Sequence, residues 1–146
     1  MTAIVLHAGL IARRVGGLWL GALIEGPSGA GKSDLALRML GQGFALVADD
    51  RVIAFTSAGR LYGRAPGPLL GLIEARGVGV VGRDTLPFAR IVLRVQLAAD
   101  VVERMPDAAQ PEPILGIALP TAALRPFEAS APAKLVALLE LLGGRP

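Results

Sequence analysis

The run GPSGAGKS at positions 26–33 constrains the fold of this chain more than any other part of its sequence. It matches the phosphate-binding pattern G-x-x-x-x-G-K-[ST], which is meaningful only between a strand and a helix. The apolar segment 18–24 predicts a buried strand, and residues 34–40 predict a helix because leucine or methionine recurs at intervals of three and four. The run therefore predicts a loop that binds a nucleotide polyphosphate.

Such a loop binds phosphate through its backbone. Glycines let successive N–H groups converge on phosphate oxygens, and the N-terminus of the helix adds positive partial charge. We expect Lys32 to contact the outer phosphates and Ser33 to ligate Mg²⁺. The presence of both disfavours the alternative, an ordinary glycine-rich turn. The predicted nucleotide-binding residues are Gly26, Pro27, Ser28, Gly29, Ala30, Gly31, Lys32 and Ser33.

The composition excludes several classes of protein. The 146 residues include no cysteine, which excludes disulfide bonds and thiolate metal sites. Scattered arginines, one Trp and one Tyr give no sign of nucleic-acid binding. No apolar run reaches membrane-spanning length, and no basic segment precedes the first apolar stretch as in a signal peptide. We therefore expect a cytoplasmic protein with neither a membrane nor a nucleic-acid partner.

The rest of the chain predicts an α/β domain with antiparallel pairs. A turn is expected at 13–17, and a four-residue turn, TSAG, separates two strands that form a hairpin. The remaining predicted strands are 5–6, 10–12, 44–48, 51–55, 60–63 and 91–97, and the second predicted helix begins at the N-cap Ser130 and ends at Leu141. We expect one domain over residues 1–146, with a mixed, largely antiparallel sheet and few helices.

Two adjacent acidic residues, Asp49 and Asp50, follow the predicted strand 44–48. Phosphate-loop enzymes place an acidic residue near Mg²⁺ at this position. Because neighbouring side chains on an extended chain diverge, one carboxylate can face the metal while the other faces the attacking hydroxyl as a general base. The alternative is an Asx turn that starts the hairpin.

Three further residues have both a functional and a structural interpretation. Glu74 and Arg76 lie on one face of a predicted strand, where they can form a structural ion pair or contribute to a site. His7 is the only histidine, and alone it is as consistent with a core or edge position as with a catalytic one.

Four segments together resemble the catalytic domain of HPr kinase/phosphorylase. These bacterial enzymes phosphorylate a serine of the phosphocarrier protein HPr and also remove that phosphate. The family pattern is a phosphate loop, then V-A-D-D, G-x-A-P and L-E-x-R-G-x-G. The matching segments are the loop 26–34 with its helix, LVADDRV at 46–52, GRAP at 63–66 and LIEARGVG at 72–79.

The resemblance implies a P-loop kinase-like fold and a role for several residues. Asp50 would accept a proton in phosphorylation and donate one in dephosphorylation. Ser33 and Glu74 would ligate Mg²⁺, with Asp49 close by, and Lys32 would bind the transferred phosphoryl group.

The resemblance also implies partners and two further catalytic residues. His7 would take the place of the active-site histidine ahead of the loop. Arg104 would correspond to an arginine in a D-R-L-G-like stretch. ATP and Mg²⁺ would be the cofactors, HPr the protein substrate, and a homo-oligomer, hexameric in the family, the assembly.

The sequence departs from the family pattern in three places. The resemblance is to the short forms of the family, so we expect no counterpart of the amino-terminal domain of the longer members. The helical material near the carboxyl end is shorter than that which supports the family hexamer. Residues 119–126 keep Pro120 and Arg125 of a P-V-x-P-G-R-N-like segment but lack its glycine and asparagine. The resemblance therefore implies kinase activity more fully than phosphorylase activity.

Two other functions are compatible with the same loop. A small-molecule kinase would carry a similar phosphate loop, although no long arginine-bearing lid insertion is present. A non-catalytic nucleotide-binding regulator would keep the loop for binding alone.

Overall fold

The computed structural model describes residues 2–75, 77–82, 85–98 and 112–143. Two α-helices, one 3₁₀ helix (Gly67–Leu69) and nine strands are described. In chain order the strands and α-helices are β1 (Ala3–Val15), β2 (Leu18–Glu25), α1 (Lys32–Leu40), β3 (Ala45–Ala48), β4 (Arg51–Ser57), β5 (Arg60–Arg64), β6 (Leu72–Ala75), β7 (Gly79–Gly82), β8 (Ala89–Leu97), β9 (Thr121–Leu124) and α2 (Ala131–Leu142).

Strand β1 is continuous over 13 residues, so the prediction of two short strands and a turn at 13–17 was wrong. Only Gly16 and Gly17 form the turn, with φ of 59° and 84°, before β2 runs back antiparallel. Polar residues are accommodated in the strand because their long side chains contact groups on neighbouring elements. Arg14 lies opposite Trp19 in register, with its guanidinium 6.0 Å from the centre of the indole ring.

Seven strands form one sheet whose path returns on itself. Its order is β2-β1-β4-β5-β8-β9, with a further pairing between β2 and β8 and with β3 paired to β1. The β2–β8 and β8–β9 pairings are parallel, and the others in this sheet are antiparallel. Strands β6 and β7 form a separate two-stranded sheet. The predicted mixed, largely antiparallel α/β fold is confirmed.

Apolar side chains fill both faces of the larger sheet. Successive side chains of a strand point to opposite faces, so β2 contributes to both and is buried over most of its length. The helices cover one face, where Ile24, Leu35, Met39, Leu135 and Leu139 are fully buried. The curled sheet encloses a second cluster that includes Leu10, Leu23, Val52, Leu61 and Ile91.

The topology brings three loops to one edge of the sheet. Because β2, β8 and β9 are mutually parallel, their carboxyl ends lie on the same side, which is where α/β proteins bind ligands. No described helix is long and apolar enough to cross a membrane.

Candidate functional site

The glycine-rich run forms the turn between β2 and α1. Gly29 and Gly31 have φ of 81° and 99°, a region that favours glycine. The N–H of Ala30 donates to the carbonyl of Pro27 (3.0 Å), and the N–H of Leu35 donates to that of Gly31 (2.9 Å). Within the described residues no side chain caps α1, so the N–H groups of its first turn are available to an anion.

Lys32 folds back over this loop. Its Nζ donates to the carbonyls of Gly26 (2.7 Å) and Pro27 (3.2 Å). Lys32 and Ser33 already belong to the first turn of α1, which begins two residues earlier than the predicted 34–40. The ammonium group is thereby held at the loop with one N–H left for an anion.

Ser33 is paired with Asp49 at the end of β3. Ser33 Oγ lies 2.8 Å from Oδ1 and 3.0 Å from Oδ2 of Asp49, and the backbone N–H of Glu74 donates to Oδ2 at 3.1 Å. Asp49 is 8% exposed. A carboxylate only accepts hydrogen bonds, so the serine proton points to Asp49 and the hydroxyl lone pairs are left for a cation.

Asp50 occupies a strained turn between β3 and β4. Its φ is 67°, and the N–H of Arg51 donates to the carbonyl of Asp49 at 2.7 Å. An i→i+2 hydrogen bond with a positive central φ is the rarer, strained form of γ-turn. Such a conformation is unfavourable in a non-glycine residue, so the surrounding structure must hold the turn in this form.

The two neighbouring carboxylates diverge because of this turn, not because the chain is extended as the sequence suggested. The carboxylate of Asp49 is held by Ser33 and Glu74, so it does not make the Asx turn considered as the alternative. The side chain of Asp50 is 60% exposed, with Arg51 Nε 3.8 Å from Oδ2.

Glu74 enters the site from the two-stranded sheet. On β6 the side chains of Ile73 and Ala75 are buried and those of Leu72 and Glu74 are exposed. The backbone of Glu74 is fixed by its hydrogen bond to Asp49. Its exposed side chain lines a cavity that Lys32 and Ser33 of the loop also line.

These residues surround an open cavity of about 300 Å³. The cavity brings together Lys32, Ser33, Asp50 and Glu74, with Asp49 directly behind the serine. The described residues that line it are Ser28, Gly29, Gly31, Lys32, Ser33, Asp34, Asp50, Glu74 and Phe127. A separate cavity of about 210 Å³, lined in part by Arg60 and Arg90, contains none of the predicted site residues.

The charges of the cavity favour a polyphosphate that binds together with a cation. Asp50, Glu74 and Lys32 all line it, so the acidic groups outnumber the basic one even though Asp34 is paired with Arg38 (3.0 Å). The side-chain atoms available to bind a metal are oxygens, and Mg²⁺ prefers oxygen ligands. Among the described residues no group of three or more His, Cys, Asp or Glu is arranged for a metal. Mg²⁺ commonly takes one or two carboxylates and completes its shell with phosphate and water.

His7 and Arg104 do not join this cavity in the described part of the chain. His7 is exposed on β1, opposite Arg51 in register and next to Ala8, whose N–H donates to the carbonyl of Asp50 at 3.1 Å. His7 therefore adjoins the strained turn without lining the cavity. Arg104 and Arg76 lie outside the described residues.

Sequence reasoning missed Phe127. This residue lines the cavity and is 67% exposed. It belongs to the segment between β9 and α2, to which the sequence assigned no site. An isolated aromatic residue carries no motif, so only the topology that brings the end of β9 beside the loop reveals it.

A family model and two curated relatives that resemble this chain all carry the name of HPr kinase. Residues 4–136 match the family model of the HPr Serine kinase C-terminal domain. The HPr kinase/phosphorylase of Variovorax paradoxus is 36% identical over 113 residues, which cover 68% of this chain and 35% of that protein. That of Bordetella pertussis is 38% identical over 112 residues, covering 68% and 36%. The chain thus spans about a third of the length of the curated relatives it matches.

A solved structure resembles the fold over nearly its whole length. It is that of the Hpr(Ser) kinase/phosphatase from Coxiella burnetii, with a TM-score of 0.75 and 25% identity. The match covers 94% of this chain and 95% of the other.

Proposed function

The chain belongs to the HPr serine kinase C-terminal domain family, and on that premise we propose that it is an ATP- and Mg²⁺-dependent protein serine kinase whose substrate is the phosphocarrier HPr. The observation that carries the proposal is the convergence of Lys32, Ser33, Asp50 and Glu74 on one cavity. The names of the relatives support HPr as the substrate. Residues 1–146 would form one catalytic domain.

The loop would bind and orient the triphosphate of ATP. Its N–H groups and the N-terminus of α1 would hold phosphate oxygens, and Lys32 would exchange its two carbonyl contacts for oxygens of the transferred phosphoryl group. Bound Mg²⁺ would neutralise negative charge on the outer phosphates. Ser33 Oγ and the Glu74 carboxylate would hold it, with Asp49 fixing the serine in its acceptor orientation.

Asp50 would act as the proton acceptor. The serine hydroxyl of HPr would attack the γ-phosphorus, the bond to the β–γ bridging oxygen would break, and ADP would leave as the serine proton passes to Asp50. The exposed, outward-turned carboxylate of Asp50 is accessible to a protein substrate in a way that the buried Asp49 is not. In dephosphorylation, which the names of the relatives also imply, inorganic phosphate or water would attack the phosphorus of the phosphoserine, the bond to the serine oxygen would break, and the same carboxyl group would protonate that oxygen.

His7 and Arg104 have supporting roles in the proposal. His7 would lie beside the Asp50 turn and contact the incoming serine or its phosphate, and Arg104 would contribute from the segment between β8 and β9. Assembly into a homo-oligomer stays a prediction, which sizing of the purified protein by light scattering would test.

Mass spectrometry of HPr after incubation with the protein, ATP and Mg²⁺ tests the proposal directly. We expect HPr to gain one phosphoryl group on a serine, and to gain none when Lys32→Ala replaces the wild-type protein. A panel of metabolites in the same assay tests for a small-molecule kinase. Binding of HPr and ATP without transfer to HPr or to any metabolite would instead indicate a nucleotide-binding regulator and contradict the proposal.

A further inference from the structure

Phe127 is an exposed aromatic residue with an unexplained position at the phosphate loop. The residue is 67% exposed, so most of its apolar surface is open to solvent. Its ring nevertheless lies close to the loop. A Cβ atom built on Gly31 would lie 2.8 Å from Cζ of Phe127 and 3.3 to 3.4 Å from two further ring carbons.

The sheet topology places this ring at the binding edge. Strand β9 runs parallel to β8, which runs parallel to β2, so the end of β9 lies on the side of the sheet where β2 enters the loop. Phe127 comes three residues after the last residue of β9. The segment that carries it is therefore a wall of the cavity and not a distant surface loop.

Contacts from the loop helix hold the segment in place. Arg38 of α1 donates from Nη2 to the carbonyl of Pro126 and from Nε to Asp34 Oδ2 (3.0 Å). On the other side the N–H of Glu128 donates to the carbonyl of Arg125 (3.2 Å), and Lys134 of α2 donates to Glu128 Oε1 (3.1 Å). Pro126 and Glu128, on either side of Phe127, are thus held by hydrogen bonds, while the ring of Phe127 stays exposed to solvent.

From this geometry we propose that Phe127 is the platform on which the base of the nucleotide stacks. The inference rests on the proposed function. The other described residues that line the cavity are glycine, polar or charged, and they serve the phosphates and the cation, whereas Phe127 offers a flat apolar face. A base stacked there would cover the exposed face of the ring, and such stacking does not depend on which base is present. Phe127 would then favour nucleoside triphosphates over inorganic polyphosphates.

Paired ligands separate the base from the phosphates. Binding of a non-hydrolysable ATP analogue, the matching GTP analogue and inorganic tripolyphosphate, each with Mg²⁺, is measured by titration calorimetry on the full chain. We expect Phe127→Ala to raise the Kd of both nucleotides by roughly 5- to 150-fold, the range found for loss of base–aromatic stacking. The Kd of tripolyphosphate should change by less than about twofold, and Phe127→Trp should keep nucleotide affinity.

A matched control removes the other exposed phenylalanine near the sheet. Phe88 is 54% exposed and packs edge-on to Tyr62 with ring centres 6.0 Å apart, and it does not line the cavity. Phe88→Ala should leave the affinities for all three ligands unchanged, and circular dichroism should show that every variant is folded.

The contrary outcomes are distinct. An equal loss of nucleotide and tripolyphosphate affinity in Phe127→Ala would show that the ring supports the loop and does not contact a base. Unchanged nucleotide affinity, or a wild-type protein that binds tripolyphosphate as tightly as nucleotide, would overturn the platform while leaving the phosphate site intact. Failure of the wild-type protein to bind any of the three ligands would instead refute the proposed function, and the platform with it.

Discussion

The contact between Ser33 and Asp49 gives a quantitative prediction, because one carboxylate serves two purposes. Its oxygens accept hydrogen bonds from the Ser33 hydroxyl (2.8 and 3.0 Å) and from the Glu74 N–H (3.1 Å). The first bond orients a proposed Mg²⁺ ligand, and the second attaches β6 to the end of β3. Replacing Asp49 should therefore affect both metal binding and stability.

The expected size of each effect follows from these bonds. Hydrogen bonds to a charged group contribute about 1.5–3 kcal/mol each, and Asp49→Ala loses two of them. Because the variant also no longer buries a charged carboxylate, part of this loss is offset, and we expect the free energy of unfolding to fall by about 3 kcal/mol. In Asp49→Asn the amide oxygen can still accept from Glu74. Its NH₂ group then donates to Ser33 and occupies the lone pair proposed for Mg²⁺, so we expect a stability loss of only about 1 kcal/mol.

Metal binding should respond differently from stability. Both variants lose the carboxylate that orients the serine, and loss of such an outer partner commonly costs about 10- to 100-fold in metal affinity. Urea unfolding measures the first quantity, and titration of Mg²⁺ into the protein with saturating ATP analogue measures the second. Ser33→Ala and the double variant complete a cycle, in which a coupling energy of about 1–3 kcal/mol is expected.

Two results would refute this reasoning. Unchanged Mg²⁺ dependence in Asp49→Asn would show that the carboxylate does not prepare Ser33 for the cation. A coupling energy near zero in the cycle would show that the contact between the two side chains contributes nothing to stability.

Three other substitutions probe the remaining parts of the account. Asp50→Asn should bind ATP normally but transfer phosphate to HPr at least about 100-fold more slowly, which is the scale for loss of a general base. Near-normal transfer in a quenched-flow assay would reject Asp50 as the proton acceptor. Lys32→Ala should weaken nucleotide binding and turnover together, as measured by calorimetry and steady-state kinetics, and wild-type values for both would count against the loop assignment. Leu135→Ala, which truncates a fully buried side chain of α2 against the sheet, should cost about 2–5 kcal/mol in urea unfolding, whereas a loss below about 1 kcal/mol would mean that α2 is not part of the core.

The sequence predicted the fold where local pattern and tertiary structure agree. The loop motif required a strand before it and a helix after it, and β2 and α1 are there. The hairpin of β4 and β5 follows from its turn residues and apolar flanks. The helix predicted from Ser130 to Leu141 is α2, although the Ser130 side chain makes no capping hydrogen bond. The division of β1 was wrong because polar residues in a strand were interpreted as a turn.

Details of the site depended on contacts that no local pattern contains. The position of the acidic pair after a buried strand, and then the family resemblance, predicted that it lies near the loop. The contacts within the site were not predictable, because the pairing of Ser33 with Asp49 joins residues 16 positions apart, and that of Glu74 with Asp49 joins residues 25 apart. The positive φ of Asp50 is a property of the turn it occupies, since Ala8 on β1 fixes its carbonyl. Phe127 lines the cavity because of the sheet topology, which no local sequence pattern predicts.

A crystal structure of the protein with a non-hydrolysable ATP analogue and Mn²⁺ in place of Mg²⁺ would locate both the metal and the phosphates. We predict an anomalous peak for manganese between Ser33 and Glu74, with the γ-phosphate between Lys32 and Asp50. A nucleotide bound elsewhere, for example in the cavity lined by Arg60 and Arg90, or a manganese ion remote from Ser33 and Glu74, would contradict this prediction.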